Sequence, residues 1–82
     1  MMPLTFAREG EPNLIRRISG KDESKRHLNN LGFIEGGTVS IVSETAGNLI
    51  VKVKESRIAI SKEMANRIVV ENIDSAGREK LG

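Results

Sequence analysis

The chain has 82 residues, with 13 Lys and Arg against 11 Asp and Glu, a net charge of +2, and no Cys, Trp or Tyr. This length predicts one small domain with an aliphatic core, and the lack of Cys excludes disulfides and thiolate metal sites. No apolar run approaches the roughly 18 residues that span a bilayer, and the N-terminal residues do not resemble a signal peptide, so a cytoplasmic protein without direct membrane insertion is expected.

The chain opens with one short apolar cluster that ends at a glycine, over residues 1–10. With Thr5 as a cap, these residues predict a single helical turn that covers an open end of a sheet. A strand is expected next, over 14–19, where the adjacent Arg16 and Arg17 interrupt the alternation of apolar and polar residues.

A short helix is predicted after this strand. Ser19 or Asp22 is expected to cap it, and its apolar stripe consists of Leu28 and Leu31. A stripe this narrow makes the helix marginal on its own, so tertiary packing must hold it. Gly32 then stands where a helix end needs a residue that tolerates positive φ.

The helix leads into a glycine-rich turn over residues 33–37. Phe33 is expected to fold back on the end of the helix, which leaves Ile34 and Glu35 exposed. Apolar residues exposed in a turn become a docking surface where they adjoin in space. The helix and the turn are therefore predicted to contact a partner, through Phe33, Ile34, Glu35 and Arg26.

Alternation with a period of two residues dominates the second half of the chain. Strands are expected over 38–42, 49–54, 57–61 and 68–70. Turns are expected at 46–48 and 55–56. Ser61 is predicted to cap a single helical turn before the last strand.

Together these elements predict a mainly β fold, a small five-stranded, partly open SH3-like barrel. One short α-helix is expected between its first and second strands, and a helical turn before its last strand. Residues 1–71 are predicted to form this single domain and residues 72–82 a disordered tail.

Chemistry-bearing residues are few. One His, no Cys and scattered Ser residues provide no set of nucleophile, base and orienting group, so a non-enzymatic protein is predicted. Glu23 and His27 lie four residues apart on one helix face and are the candidate ligands for a transition metal ion, iron or zinc. Two ligands fall short of the three or four that metal sites use, so a metal cofactor stays an open hypothesis.

Basic residues on the strands raise the alternative of nucleic-acid binding. The residues concerned are Arg16, Arg17, Lys52, Lys54 and Arg57. The aromatic residues that stack on single-stranded bases are missing, and the net charge is low. A solvated strand face is therefore favoured over a nucleic-acid surface.

Two motifs resemble the FeoA family, the small cytosolic component of bacterial ferrous iron uptake. The motifs are Leu28-x-x-Leu31-Gly32-Phe33-x-x-Gly36, and Ile58-Ala59-Ile60 followed by Ala65, Ile68 and Val70. The opening segment, from Pro3 to Glu11, is similar as well. The chain departs from the family pattern at Glu35, where Pro is usual, and at Ser56, where Gly is frequent.

The resemblance implies an accessory protein that binds the cytoplasmic part of the ferrous iron membrane transporter, whose G domain hydrolyses GTP, and modulates it. It implies no small-molecule substrate. The first alternative is a regulatory domain that binds a transition metal ion, like the SH3-like domain of metal-dependent repressors. The second is a basic barrel that binds nucleic acid. Weak self-association is also left open.

Overall fold

A computed structural model describes residues 1–73 of the chain. Its elements are β1 (Met2–Pro3), a 3-10 turn (Leu4–Phe6), β2 (Asn13–Ile18), α1 (Asp22–Leu31), β3 (Thr38–Thr45), β4 (Asn48–Val53), β5 (Ser56–Ser61), α2 (Lys62–Ala65) and β6 (Ile68–Asn72). The six strands of this part form one antiparallel sheet in the order β1-β6-β2-β3-β4-β5. Within residues 1–73 the sheet is not closed, because its edge strands β1 and β5 do not pair with each other.

This architecture confirms the predicted mainly β, partly open fold and corrects its strand count. The sixth strand is β1, whose two residues pair with Val69 and Val70 of β6. A strand of two residues is too short to show an alternating pattern, so it could not be predicted from the sequence. Thr5 lies inside the 3-10 turn and does not cap it; its hydroxyl instead donates to Asn66 Oδ1 at 2.6 Å.

The core is aliphatic, as the composition predicts. Alternating residues of the strands point into it, and α1, the 3-10 turn and α2 each add one buried residue. Its members are Leu4, Ile15, Ile18, Leu28, Phe33, Val39, Ile41, Leu49, Val51, Val53, Ile60, Ala65, Ile68 and Val70. Burial of such side chains supplies the main stabilising free energy of a chain this small, at roughly 1.5–3 kcal/mol for each large residue.

A bulge in β2 explains the adjacent arginines of that strand. The pairing of β2 with β6 shifts register between Ile15 and Arg17. Both Arg16 and Arg17 therefore face solvent, while Ile15 and Ile18 remain buried on either side. The interrupted alternation in the sequence marks a bulge, where two residues oppose one.

The N-terminus of α1 differs from the prediction. Lys21 is the N-cap residue and its side chain makes no capping hydrogen bond, while Asp22 is the first helical residue. An acidic side chain there still favours the helix, because it faces the positive end of the helix dipole. Ser19 has another role, since its hydroxyl donates to the carbonyl of Arg67 at 3.3 Å.

The first hairpin turn is one residue shorter than predicted, and the second is displaced by one residue. Thr45 pairs with Asn48, so the first turn contains only residues 46 and 47. Val53 pairs with Ser56, which moves the second turn to residues 54 and 55. Lys54 has a φ of 56°, in the left-handed region, and this conformation closes a turn that lacks glycine.

The end of the sheet lies slightly further along the chain than predicted. β6 extends to Asn72, one residue into the segment assigned to the tail. Ser61 caps α2 as predicted, since its hydroxyl accepts from the amide of Met64 at 3.2 Å. Residues 74–82, and with them the predicted disorder, lie outside the described residues.

Candidate functional site

The turn between α1 and β3 carries three of the four predicted contact residues, and the fourth, Arg26, lies on α1. The amide of Gly37 donates to the carbonyl of Ile34 at 3.0 Å, which closes a β-turn over residues 34–37. Gly36, the third residue of the turn, has a φ of 88°, which is typical of a type II turn. Glu35 occupies the second position and is exposed.

Two hydrogen bonds fasten this turn to β2. The amide of Gly36 donates to the carbonyl of Ile15, and the amide of Ile15 donates to the carbonyl of Gly37, each at 2.8 Å. Because Ile15 is buried in the core, the backbone of the turn is fixed relative to the sheet.

Ile34 and Glu35 line a cavity of about 300 Å³ between the turn and α1. Lys25 and Asn29, one helical turn apart on α1, form its opposite wall, and Ile18 contributes as well. We call these five residues the helix–turn surface. It combines two apolar side chains with one acid, one base and one amide, a composition suited to recognition of a protein surface.

The other two predicted contact residues, Phe33 and Arg26, do not line this cavity. Phe33 is fully buried, and its amide donates to the carbonyl of Leu28 at 3.0 Å. Its side chain therefore supports the turn from inside and is not available to a partner. Arg26 is exposed on α1, next to Lys25 in sequence, and does not line the cavity.

Glu23 and His27 line a different cavity, of about 280 Å³, between α1 and α2. Its other lining residues are Ser24, Leu28, Glu63, Met64 and Arg67. The guanidinium of Arg67 donates to the hydroxyl of Ser24 and so links α1 to the segment that precedes β6.

This second cavity does not assemble a metal centre. Within residues 1–73 no three His, Cys, Asp or Glu side chains are placed to hold one ion. Glu23 and His27 share a helix face, as their spacing predicts. Glu63 lines the same cavity, but among the described residues it is not placed to bind one ion together with them.

The basic strand residues do not form one continuous group. Arg16 lies 4.0 Å from Glu71, on the neighbouring strand β6. The ladder between β2 and β3 includes only Asn13 and Leu14 of β2, so the arginines of β2 lie beyond it. Lys52 and Arg57, by contrast, are direct register partners on β4 and β5.

Sequence reasoning missed Lys25, Asn29 and Ile18 at the helix–turn surface. The spacing of Lys25 and Asn29, four residues apart, signals one helix face. Nothing in the sequence indicated that Ile18 contributes, because its position depends on how β2, α1 and the turn pack together.

The sequence matches the model of a known protein family. The FeoA domain family model matches residues 2–72, nearly all of the described chain. The chain belongs to the FeoA domain family. A protein of Methanocaldococcus jannaschii named putative Fe(2+) transport protein A is 33% identical over 82 residues, covering 99% of this chain and 100% of that one.

Solved structures confirm the FeoA, SH3-like fold. A crystal structure of an iron uptake regulatory protein (FeoA) has a TM-score of 0.80 and 28% identity, covering 88% of this chain and 96% of that one. ScaR with bound Zn2+ has a TM-score of 0.78 at 20% identity, covering 89% of this chain and 37% of that one. This second likeness concerns the fold alone. In residues 1–73 of this FeoA-family chain, no helix is long and apolar enough to cross a membrane.

Proposed function

We propose that this chain is a small cytoplasmic accessory protein of ferrous iron uptake. It binds the cytoplasmic part of the ferrous iron transporter, which carries a G domain, and modulates it without catalysing a reaction. Membership of the FeoA family and the name of the M. jannaschii relative support the transport role.

The observation that carries the docking hypothesis is the exposed Ile34 on a turn whose backbone is fixed. Its side chain is 41% exposed, and the hydrogen bonds to Ile15 hold the turn before any partner arrives. A preformed surface loses little conformational entropy on binding. Lys25 and Glu35 line the same cavity, and their opposite charges can orient a partner that carries complementary charges.

Modulation requires that this surface binds one conformation of the transporter better than another. A ligand shifts an equilibrium only by its difference in affinity for the two states. Because nucleotide changes the state of a G domain, retention of the accessory protein should depend on the nucleotide bound to the transporter.

The test is co-purification of the full chain with the full-length transporter of the same organism, with GTP, with GDP and without nucleotide. Ile34→Asp is the probe. Val42→Asp is the matched control, because Val42 is also an exposed aliphatic residue, at 38%, but lies on β3 outside the helix–turn surface. Circular dichroism confirms that both variants fold.

Nucleotide-dependent retention that is lost in Ile34→Asp and kept in Val42→Asp supports the proposal and the surface. Equal loss of retention in both variants would reject the helix–turn surface as the docking site but would leave the transporter as the proposed partner. No retention of the unmodified chain in any nucleotide state would overturn the proposed function.

A further inference from the structure

β5 leaves one of its two edges open. It is the last strand of the sheet, and within residues 1–73 it pairs only with β4. An edge strand presents backbone N–H and C=O groups that lack ladder partners. Ser56, Arg57 and Ala59 are exposed along it, and Ile58 is half-buried, so an extended chain can reach this edge.

The outer face beside this edge holds two like charges directly opposite each other. Arg57 of β5 is the register partner of Lys52 of β4. Like charges in this position destabilise a sheet. Neither belongs to the ion pairs of the described residues, which join Arg16 to Glu71 and Lys62 to Glu44. Within residues 1–73 no ion pair therefore offsets this repulsion.

Positive charge continues from this pair towards β3. Lys52 and Lys54 line one cavity of about 260 Å³, together with Pro12, Thr38, Val39 and Ser40. Within residues 1–73 no acidic side chain lines that cavity. The open edge thus adjoins a cationic face that extends over two neighbouring strands.

We propose that the open edge of β5 binds an extended acidic segment of a partner protein, which adds to the sheet as a further strand. Backbone hydrogen bonds would supply affinity, and an acidic side chain next to Arg57 would relieve the repulsion with Lys52. The inference goes beyond the proposed function, because the edge binds such a segment whatever protein carries it.

Charge and composition favour this occupant over two others. The β5 edge of a second copy again carries Arg57 and no acidic residue that could pair with it, and each chain has a net charge of +2. A single-stranded nucleic acid would need stacking aromatics. Of the two aromatic residues, Phe33 is buried, and Phe6 is exposed but belongs to the 3-10 turn and not to β4 or β5.

The sheet also sets the pattern of the segment. Successive side chains of an added strand point to opposite faces. On the outer face, the residue beside Arg57 is acidic. On the inner face, the residue beside Ile58 is aliphatic, because Ile58 packs against the core from the edge. The segment therefore alternates acidic and aliphatic residues.

The test titrates the isotopically labelled full chain with a short capped peptide of alternating Glu and Val, followed by NMR. A Lys-Val peptide of equal length is the peptide control. We expect backbone shifts and slowed amide exchange along Ser56–Ser61 with the Glu-Val peptide only. Because no transporter is present, this result and the co-purification result fail or succeed independently.

Two charge-reversal variants make the test specific. Arg57→Glu is expected to weaken peptide binding at least about tenfold, since it removes the attractive charge. The variant should fold at least as well as the parent chain, because Glu opposite Lys52 is an attractive pair. Arg8→Glu makes the same change of net charge at an exposed position outside β4 and β5 and should leave binding unchanged.

Three results would overturn the proposal. The first is no perturbation along β5 at millimolar peptide. The second is a concentration-dependent shift of β5 without peptide, which would show that a second copy occupies the edge. The third is stronger perturbation of Lys52 and Arg57 by oligothymidylate than by the peptide, without amide protection, which would make the face a phosphate site.

Discussion

The side chain of Ile34 lies directly over Gly37. A Cβ on Gly37 would fall 3.3 Å from Ile34 Cγ1 and 3.2 Å from the Ile34 carbonyl oxygen. Both contacts are tighter than side chains ordinarily make, so a residue with a Cβ at position 37 requires Ile34 to shift by a few tenths of an ångström. Glycine at position 37 therefore permits the observed position of the Ile34 side chain in the helix–turn surface.

Gly36→Ala is expected to destabilise the protein by about 1–2 kcal/mol, because Gly36 has a φ of 88° and a Cβ is strained there. Urea denaturation followed by circular dichroism measures the loss. Gly36→Asn is the control and should lose less, since Asn tolerates the left-handed region better. Equal stability of the Ala variant and the parent would contradict the turn geometry.

Glu35→Pro is expected to stabilise the protein by about 0.4–1 kcal/mol, because Pro suits the second position of a type II turn and restricts the unfolded chain. The amide of Glu35 makes no hydrogen bond within residues 1–73, so Pro removes none there. Glu35→Ala separates the loss of charge from the effect of the ring. A lower urea midpoint for the Pro variant would show that the turn is not of this type.

Ser61→Ala is expected to lower the free energy of unfolding by about 1 kcal/mol, because the hydroxyl of Ser61 caps α2 through the amide of Met64. Denaturant titration gives the difference. Ser56→Ala, at an exposed serine at the other end of β5, serves as the control and should have little effect. Similar losses in both variants would argue against a capping role.

Titration with zinc or ferrous ions is expected to show no saturable one-to-one site, because Glu23 and His27 supply only two of the three or four ligands needed. Isothermal calorimetry of the full chain provides the measurement, and His27→Ala is the matched variant. Micromolar binding that disappears in His27→Ala would favour the alternative of a metal-responsive regulatory domain.

Much of the fold could be predicted, because apolar residues that are buried alternate with polar, exposed residues along the strands. Leu49, Val51 and Val53 are buried on alternate positions of β4, as their spacing predicts. The Leu28 to Gly36 motif likewise located the end of α1 and the turn. Exact turn positions were harder, since Lys54 adopts a left-handed conformation that Gly or Asn usually signals.

The candidate surfaces were less predictable, because they depend on contacts between distant parts of the chain. The turn motif in the sequence pointed to Ile34 and Glu35. That Lys25 and Asn29 lie opposite them could not be predicted, because it depends on the orientation of α1 relative to the turn. The register of β4 with β5 places Lys52 opposite Arg57, and one residue of slippage would have separated them.

The helix α1 is attached to the core through little apolar surface. Leu28 is its only fully buried residue, and Leu31 is partly buried against the core. Elements with few buried contacts open at a lower free energy than the molecule as a whole. The amides of α1 should therefore exchange with solvent well before those of β4, and the wall of the helix–turn surface can yield to a partner while the sheet stays folded.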